Sequence, residues 1–237
     1  MEGWGVLGER GLSRTGTKLA VVVVAVAAIG VLIALYVGLW ATDVPKTVAA
    51  TPSSSPAGPT RNLTLQTDAA VGPQMSPSHP DWVGYLVRRG GKWVRSTVYQ
   101  VPAHSLVHVT IYQFDGDSGL RNPFLAKVQG TAGGIESVDG KPLNHIEAEE
   151  ASHTFVIPGL GVFAPLPGVP EEAKNQCEYG PCDPATMAHR TIEITFRTGK
   201  KGRYRWQCFV PCAAGTYFGF GGPMQTLGYM DGYIDVV

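Results

Sequence analysis

An uninterrupted apolar segment near the beginning of the chain fixes its relation to the membrane. Residues 19–41 (LAVVVVAVAAIGVLIALYVGLWA) contain no charged side chain. At about 1.5 Å per residue, a helix of this length spans a hydrocarbon core of about 30 Å. Tyr36 and Trp40 lie near its C-terminal end, where aromatic rings favour the lipid headgroups. We therefore predict a transmembrane helix over 19–41.

The basic residues around this segment predict its orientation. Lys46 is the one basic residue that follows the segment closely, whereas three precede it: Arg10, Arg14 and Lys18. Since basic flanks stay on the cytoplasmic side, residues 1–18 are expected in the cytoplasm and the chain from Asp43 onward outside it. We predict a single-pass protein of the plasma membrane with an extracytoplasmic domain.

A cleaved signal peptide is the alternative to a retained anchor. The sequence TVAA, which ends at Ala50, loosely resembles a cleavage site. Signal peptides carry apolar runs of about 7–15 residues, however, and the run in this chain is much longer. Under either interpretation the remaining chain lies outside the cytoplasm, where paired cysteines can oxidise.

A change in composition divides the rest of the chain into a linker and a domain. Residues 42–80 are rich in Pro, Ser, Thr, Ala and Gly, as in TPSSSPAGPT. Such a segment buries too little apolar surface to offset its loss of conformational entropy, so we predict a flexible linker over 42–80. The remaining residues, 81–237, are long enough for one extracytoplasmic domain.

Short alternating segments dominate this predicted domain. In RTIEITFRT the side chains of Ile192, Ile194 and Phe196 lie on one face of a strand, with polar residues on the other. The sequence GKKG follows and predicts a turn into RYRWQC, which makes a hairpin. The same alternation predicts further strands in VRSTVYQV, SLVHVTIYQF, ASHTFVIP and GYIDVV. The domain is therefore predicted to be all-β, an antiparallel Greek-key sandwich.

Charge and motifs argue against several classes of function. The 19 basic and 19 acidic residues balance to a formal net charge of zero, which argues against nucleic-acid binding. The sequence contains no nucleophile elbow, no HExxH and no phosphate-binding glycine loop after a strand. The chain is therefore not predicted to be an enzyme by itself.

The four cysteines are the strongest candidates for chemistry. Cys177 and Cys182 flank EYGP, whose Gly-Pro turn can bring the two thiols together as a disulfide. Cys208 and Cys212 are four residues apart, and no histidine follows Cys208 in the chain. The spacing alone allows three states for this second pair: copper thiolates, a disulfide or free buried thiols.

Three motifs resemble the cupredoxin family, and within it the copper domain of cytochrome c oxidase subunit II. They are, in chain order, SHTFVIPGLGV (152–162), KGRYRWQCFVPC (201–212) and GYMDGYIDVV (228–237). The resemblance implies that His153 corresponds to the first copper ligand of the family and Cys208 to the cysteine at the end of a strand. A single N-terminal span also resembles the short form of subunit II. The resemblance therefore implies a cupredoxin-like sandwich and, as partner, a membrane complex of the respiratory chain.

The copper motif itself departs from the family. The oxidase site has the pattern Cys-x-x-x-Cys-x-x-x-His-x-x-Met, and Cys208 and Cys212 keep its first spacing. Thr216 stands in place of the second histidine and Gly219 in place of the methionine. Copper sites of this class combine thiolate with imidazole, and a hydroxyl is a poor substitute. We therefore predict that the dinuclear centre is lost and that Cys208 and Cys212 form a disulfide.

Two functions follow from the resemblance and this departure. The first is a structural or accessory component of an oxidase-type respiratory complex, with no bound cofactor expected. The alternative is a copper-binding protein for electron transfer or copper delivery, with four improvised ligands: His153, Cys208, Cys212 and Met224. Thiolate and thioether donors suit Cu(I), although methionine is more often a gap-filler in a core.

Overall fold

The computed structural model separates an N-terminal helix from a β-sheet domain. The chain divides into two compact units, Met1–Asp43 and Val44–Val237. The structure describes five stretches of the chain: residues 14–38, 45–55, 58–71, 81–212 and 222–237.

The described part of the first unit is one apolar helix. Helix α1 spans Arg14–Tyr36, so it begins and ends about one turn before the predicted span of 19–41. Trp40 and Ala41, at the end of that predicted span, lie outside the described residues. The segment Thr15–Tyr36 is long and apolar enough to cross a membrane, and it fits either a membrane anchor or a signal sequence.

The second unit is built from β-strands joined by turns and short 3-10 segments. Its described residues form fourteen strands: β1 (Val48–Ala49), β2 (Thr51–Ser55), β3 (Gly58–Asp68), β4 (Gly84–Arg89), β5 (Lys92–Arg95), β6 (Val98–Val101), β7 (Leu106–Gln113), β8 (Glu136–Val138), β9 (Lys141–Leu143), β10 (Ala151–Ile157), β11 (Val162–Pro167), β12 (Arg190–Arg197), β13 (Gly202–Gln207) and β14 (Asp231–Val236).

These strands form two sheets, which confirms the predicted all-β class. One sheet has the order β1-β6-β14-β13-β10-β11. The other has the order β5-β4-β3-β7-β12-β8-β9, with β2 added to β3. The pairs β1–β6, β6–β14 and β3–β7 are parallel, so the sandwich is not purely antiparallel. Parallel neighbours require crossover connections, and several connections here pass from one sheet to the other.

The alternating pattern of residues 190–197 is confirmed in β12. The side chains of Ile192, Ile194 and Phe196 are buried in the core, whereas Glu193 and Thr195 are only partly buried. This strand pairs with β7 along its full length. A strand with a clean period of two therefore lies where its apolar face meets the core.

The predicted hairpin between β12 and β13 is wrong. β12 lies in the eight-stranded sheet, whereas β13 pairs with β14 and β10 in the six-stranded sheet. The turn at residues 198–201 therefore carries the chain across the sandwich. A short glycine-containing turn is compatible with either path, and the burial of Trp206 against the opposite sheet favours the crossing.

The prediction of a flexible linker over 42–80 is wrong for the residues that the structure describes there. β3 pairs in parallel with β7 over eight residue pairs. The side chains of Leu63 and Leu65 on β3 are buried in the core. Because these contacts come from a partner distant in sequence, the local Pro- and Ser-rich composition does not reveal them. The compact domain begins at Val44 rather than at residue 81.

An aromatic cluster around Trp206 forms the core beneath the cysteine pair. The Trp206 ring stacks on Tyr99 at a centroid distance of 5.9 Å and packs against Tyr85 and Phe155 at 4.9 and 5.0 Å. Its indole N–H donates a hydrogen bond of 3.0 Å to the carbonyl of Thr97. Trp206 and Phe155 each lie two residues from a candidate metal ligand, so this packing holds both strands firmly at the site.

Candidate metal centre

Two neighbouring strands bring His153 and the cysteine pair together. His153 lies on β10, and Cys208 follows directly after the end of β13. β10 and β13 are antiparallel neighbours, which places the start of β10 beside the chain that leaves β13. Among the residues that the structure describes, these three side chains form the one group of His, Cys, Asp or Glu that could hold a metal ion.

The three donor atoms are close to one another and shielded from solvent. His153 Nδ1 lies 2.7 Å from Cys212 Sγ and 3.9 Å from Cys208 Sγ, and the two sulfur atoms are 3.2 Å apart. His153 is 4% exposed, Cys208 0% and Cys212 7%. The sequence-based prediction that His153, Cys208 and Cys212 share one site is consistent with this geometry.

The predicted disulfide between Cys208 and Cys212 is wrong. Both cysteines are free. Their sulfur atoms are 3.2 Å apart, whereas a disulfide bond requires about 2.05 Å. Each sulfur has polar partners instead. The Thr154 backbone N–H donates to Cys208 Sγ at 3.4 Å, and His153 Nδ1 contacts Cys212 Sγ. The other predicted disulfide, Cys177–Cys182, is confirmed, with its Cα atoms 6.0 Å apart.

Burial and hydrogen bonding shift the pKa values of the two thiols in opposite directions. Burial disfavours the Cys208 thiolate, but hydrogen bonds from Cys212 and His153 outweigh it and lower the pKa of Cys208 well below its usual value. Burial, together with the negative charge on Cys208, raises the pKa of Cys212 far above its usual value. The pair is therefore one thiolate that accepts a hydrogen bond from one thiol.

His153 carries positive charge that balances this thiolate. Burial alone lowers the pKa of an imidazole, but hydrogen bonds to Asp115 and Cys208 raise the pKa of His153 to about 10. The contact to Asp115 is short, with 2.6 Å between His153 Nε2 and Asp115 Oδ2. Metal binding at Nδ1 and both sulfurs therefore displaces protons from His153 and Cys212.

Asp115 is a site residue that the sequence analysis missed. It follows β7 in a Gly-rich stretch, DGDSGL, which has no ligand spacing relative to any cysteine or histidine. The chain after β7 reaches His153 beside the residues that follow β11, since the Val169 N–H donates to the Asp115 carbonyl, and these segments are distant in sequence. Within the sequence, the one available signal was an acidic residue immediately after a strand.

Met224 and the two substituted positions are less closely tied to the site. Met224 lies in a 3-10 turn, Pro223–Gln225, and packs partly buried against the core. Its carbonyl accepts a hydrogen bond from the side chain of Gln207, the residue before Cys208. The role of its thioether as a ligand stays a prediction. Thr216 and Gly219 lie outside the described residues.

The donor set fits a soft metal ion such as copper. Thiolate and imidazole are the donors that copper sites of cupredoxins combine. Three such donors at about 2.0–2.3 Å from one ion are separated by about 3.5–4 Å. The Nδ1–Sγ distance of 3.9 Å to Cys208 meets this separation, and the Sγ–Sγ distance of 3.2 Å is slightly short. Cys212, at 2.7 Å from Nδ1, is the ligand that has to move outward.

Comparisons with known proteins return structural likenesses alone. No family model and no curated protein match this chain. A structure described as the copper protein rusticyanin is 16% identical, with 87% of this chain and 94% of that chain covered and a TM-score of 0.29. Rusticyanin from Thiobacillus ferrooxidans is 16% identical over the same shares, with a TM-score of 0.31. Reduced rusticyanin studied by NMR is 13% identical, with 79% and 86% covered and a TM-score of 0.25.

Rusticyanin is a cupredoxin, the family that the sequence motifs resemble. The candidate metal centre rests on the strand order and donor atoms of this chain.

Proposed function

We propose that this chain is a membrane-anchored, extracytoplasmic copper protein of cupredoxin-like fold. The observation that carries the proposal is the buried group of Cys208, Cys212 and His153 with both thiols free. Outside the cytoplasm, two thiols 3.2 Å apart tend to oxidise to a disulfide. A metal ion bound to both sulfurs keeps them reduced, which supports a copper site over a purely structural pair.

The burial of the site favours electron transfer over copper delivery. All three ligands are at most 7% exposed. His153 lies on β10, and Cys208 directly follows β13, whose Trp206 packs in the core. A buried ligand set excludes water and, once Cys212 has moved outward to bind, holds the ion in place. Copper delivery instead requires ligands that a recipient protein can reach.

The respiratory setting belongs to the same proposal. The resemblance of 152–162 and 201–212 to oxidase subunit II supports a role in a respiratory membrane complex. The ligand set holds one ion, because the described His and Cys side chains at the site offer three donors. Without an enzymatic motif, the chain acts as a subunit or electron carrier rather than as an enzyme by itself.

A second candidate is the accessory, copper-free subunit. The observation that favours it is the replacement of the second family histidine and the methionine by Thr216 and Gly219. In that case the His153 group is a remnant that stabilises the fold through hydrogen bonds, and the chain contributes surface rather than electrons to its complex.

Copper titration of the full chain separates the two candidates. The protein is purified in detergent, stripped of metal under reducing conditions and titrated with Cu(I) and then with Cu(II). We expect one copper ion per chain, loss of two reactive thiols, and a visible sulfur-to-copper absorption band with Cu(II). If the chain retains two reactive thiols and binds no copper, the accessory role takes the place of the copper protein.

The proposed topology has its own test. Helix α1 and its basic flank support a retained anchor with residues 1–18 in the cytoplasm. Protease added to spheroplasts is therefore expected to remove the domain after residue 41, while a tag at Met1 stays protected until the membrane is lysed. Protection of the domain contradicts this orientation. Soluble domain in untreated samples indicates cleavage of a signal sequence.

A further inference from the structure

The carboxylate of Asp115 lies behind His153, on the side of the ring away from the cysteines. Asp115 Oδ2 is 2.6 Å from His153 Nε2, whereas Nδ1 of the same ring faces the two sulfur atoms. The Asp115 side chain is 13% exposed and that of His153 is 6% exposed. Each ring nitrogen therefore has its own partner, and the two partners lie on opposite sides of the imidazole.

The fold determines where this carboxylate points. The Asp115 backbone N–H donates to Gln113 Oε1 at 3.2 Å, and the Gln113 side-chain amide donates to the Asp115 carbonyl at 3.0 Å. The N–H of Val169 donates to the same carbonyl at 2.8 Å. Gln113 is itself fully buried and accepts a hydrogen bond from Thr67. These contacts fix the Asp115 backbone to Gln113 on β7 and to Val169 after β11, so the fold itself sets the position of the residue.

We propose that Asp115 is the positioning residue of the metal centre, which selects Nδ1 of His153 as the ligand atom and adds a fixed negative charge behind it. This inference rests on the proposed copper-binding function. A ring that donates its Nε2 proton to a carboxylate presents Nδ1 to the metal, in a fixed plane and with raised basicity. Without Asp115, the ring can rotate and either nitrogen can carry the proton.

The charge of Asp115 also biases the oxidation state of the site. Two thiolates and one carboxylate concentrate negative charge in a buried region, where charges are weakly screened. Negative charge favours the more positive metal ion, so Asp115 stabilises Cu(II) relative to Cu(I). Removing the charge is therefore expected to raise the reduction potential.

Two variants separate orientation from charge. Asp115→Asn keeps an oxygen that can accept the Nε2 proton but removes the charge, whereas Asp115→Leu removes both. We expect Asp115→Leu to lower copper affinity by about 10- to 100-fold and to shift the visible absorption band. Asp115→Asn is expected to keep most of the affinity and to raise the reduction potential. The matched control is Asp117→Asn, which removes the same charge at an exposed position two residues away.

A purely structural role for Asp115 predicts a different result. In that case thermal stability of the metal-free chain falls, while the absorption band and potential of the copper form stay at the values of the unmodified chain. That outcome overturns the inference, as does an effect of Asp117→Asn equal to that of Asp115→Asn.

A measurement on the metal-free chain distinguishes failure of this inference from failure of the proposed function. NMR of the His153 ring nitrogens is expected to show a hydrogen-bonded proton on Nε2 in the unmodified chain and in Asp117→Asn, and its loss in Asp115→Leu. An unchanged ring-nitrogen pattern in Asp115→Leu contradicts the positioning role, whether or not the chain binds copper. Absence of copper binding with the expected NMR change counts against the proposed function alone.

Discussion

Replacing Cys208 with alanine is expected to lower copper affinity by more than about 100-fold, since changes merely behind a metal ligand already cost 10- to 100-fold. Cys208 is fully buried, lies next to both other donors, and has the thiol that ionises most readily. Its loss leaves His153 and Cys212 as the described His/Cys donors, and two donors hold copper poorly against competing small thiols. The visible band of the Cu(II) form is expected to disappear with it.

The measurement is copper titration of the full chain in detergent, in competition with a chromophoric copper chelator. The matched control removes the other cysteine pair by replacing Cys177 and Cys182 with alanine. That pair lies in a separate cluster with Phe114, and its removal costs about 1–3 kcal/mol of stability because it closes a short loop. Copper stoichiometry is expected to be unchanged in this control.

Two outcomes would contradict the role of Cys208 as a copper ligand. One is stoichiometric copper binding by Cys208→Ala with affinity equal to that of the unmodified chain. The other is an equal loss of copper in the Cys177/Cys182 variant, which means that the metal follows overall stability rather than the ligand set. Far-ultraviolet circular dichroism of both variants verifies that the sandwich has formed.

Local periodicity correctly predicted the elements that are stabilised by apolar residues within the element itself. The alternation of Ile192, Ile194 and Phe196 identified β12 correctly, because a period of two can bury only one face. The apolar segment 19–41 likewise predicted α1 within about one helical turn. In both cases the residues themselves carry the apolar surface that decides the structure.

Long-range pairing explains the errors in the fold. β3 is held by β7, so its Leu63 and Leu65 alternate within a stretch whose composition is otherwise that of a linker. The turn after Phe196 is short enough for a hairpin, and the crossing is favoured by long-range contacts: the pairing of β13 with β14 and β10 and the burial of Trp206. Neither contact can be inferred from ten consecutive residues, because the partners are distant in sequence.

The site was predicted only in part, because sequence motifs identify donor residues but do not reveal contacts between segments distant in sequence. The motifs around His153 and Cys208 identified the three donors, which the neighbouring strands β10 and β13 bring together. The disulfide prediction for Cys208 and Cys212 failed, since it considered the missing family ligands but not the hydrogen bonds that hold each sulfur. Asp115 has no signature in sequence, because only the packed sandwich brings it to His153.

The buried carboxyl group of Asp68 makes the stability of the domain depend on pH. Asp68 ends β3, is 0% exposed, and neither carboxyl oxygen has a hydrogen-bond partner within the described part of the chain. Burial, and next the negative charge of Asp115, raise the pKa of Asp68 from 3.8 to about 8. The folded domain therefore keeps a proton on Asp68 at neutral pH, whereas the unfolded chain has lost it.

The sign of the pH dependence follows from this difference in bound protons. Below about pH 4 both states are protonated, and the contribution of Asp68 to stability is fully present. As the pH rises from about 4 to about 8 the folded state holds the extra proton, so stability falls, and the contribution is lost once the folded group ionises. At about 1.4 kcal/mol per pKa unit, a shift of this size amounts to several kcal/mol.

Asp68→Asn is expected to remove this loss, because an amide of the same size does not ionise. The variant should match the unmodified chain near pH 4 and exceed it by several kcal/mol at pH 8. Urea unfolding of the full chain in detergent, followed by tryptophan fluorescence between pH 4 and 9, measures the difference. Part of the slope is expected to persist, because burial also raises the pKa of Glu136 to about 9.

The control for Asp68→Asn is Glu147→Gln, which removes one negative charge at the surface and is expected to leave the slope unchanged. The double variant Asp68→Asn/Glu136→Gln is expected to be flatter still between pH 4 and 9. If Asp68→Asn is less stable than the unmodified chain at pH 8, the carboxylate is ionised and stabilised in the folded domain. A partner for Asp68 outside the described residues then has to be sought, and the predicted fall in stability with pH does not arise from this group.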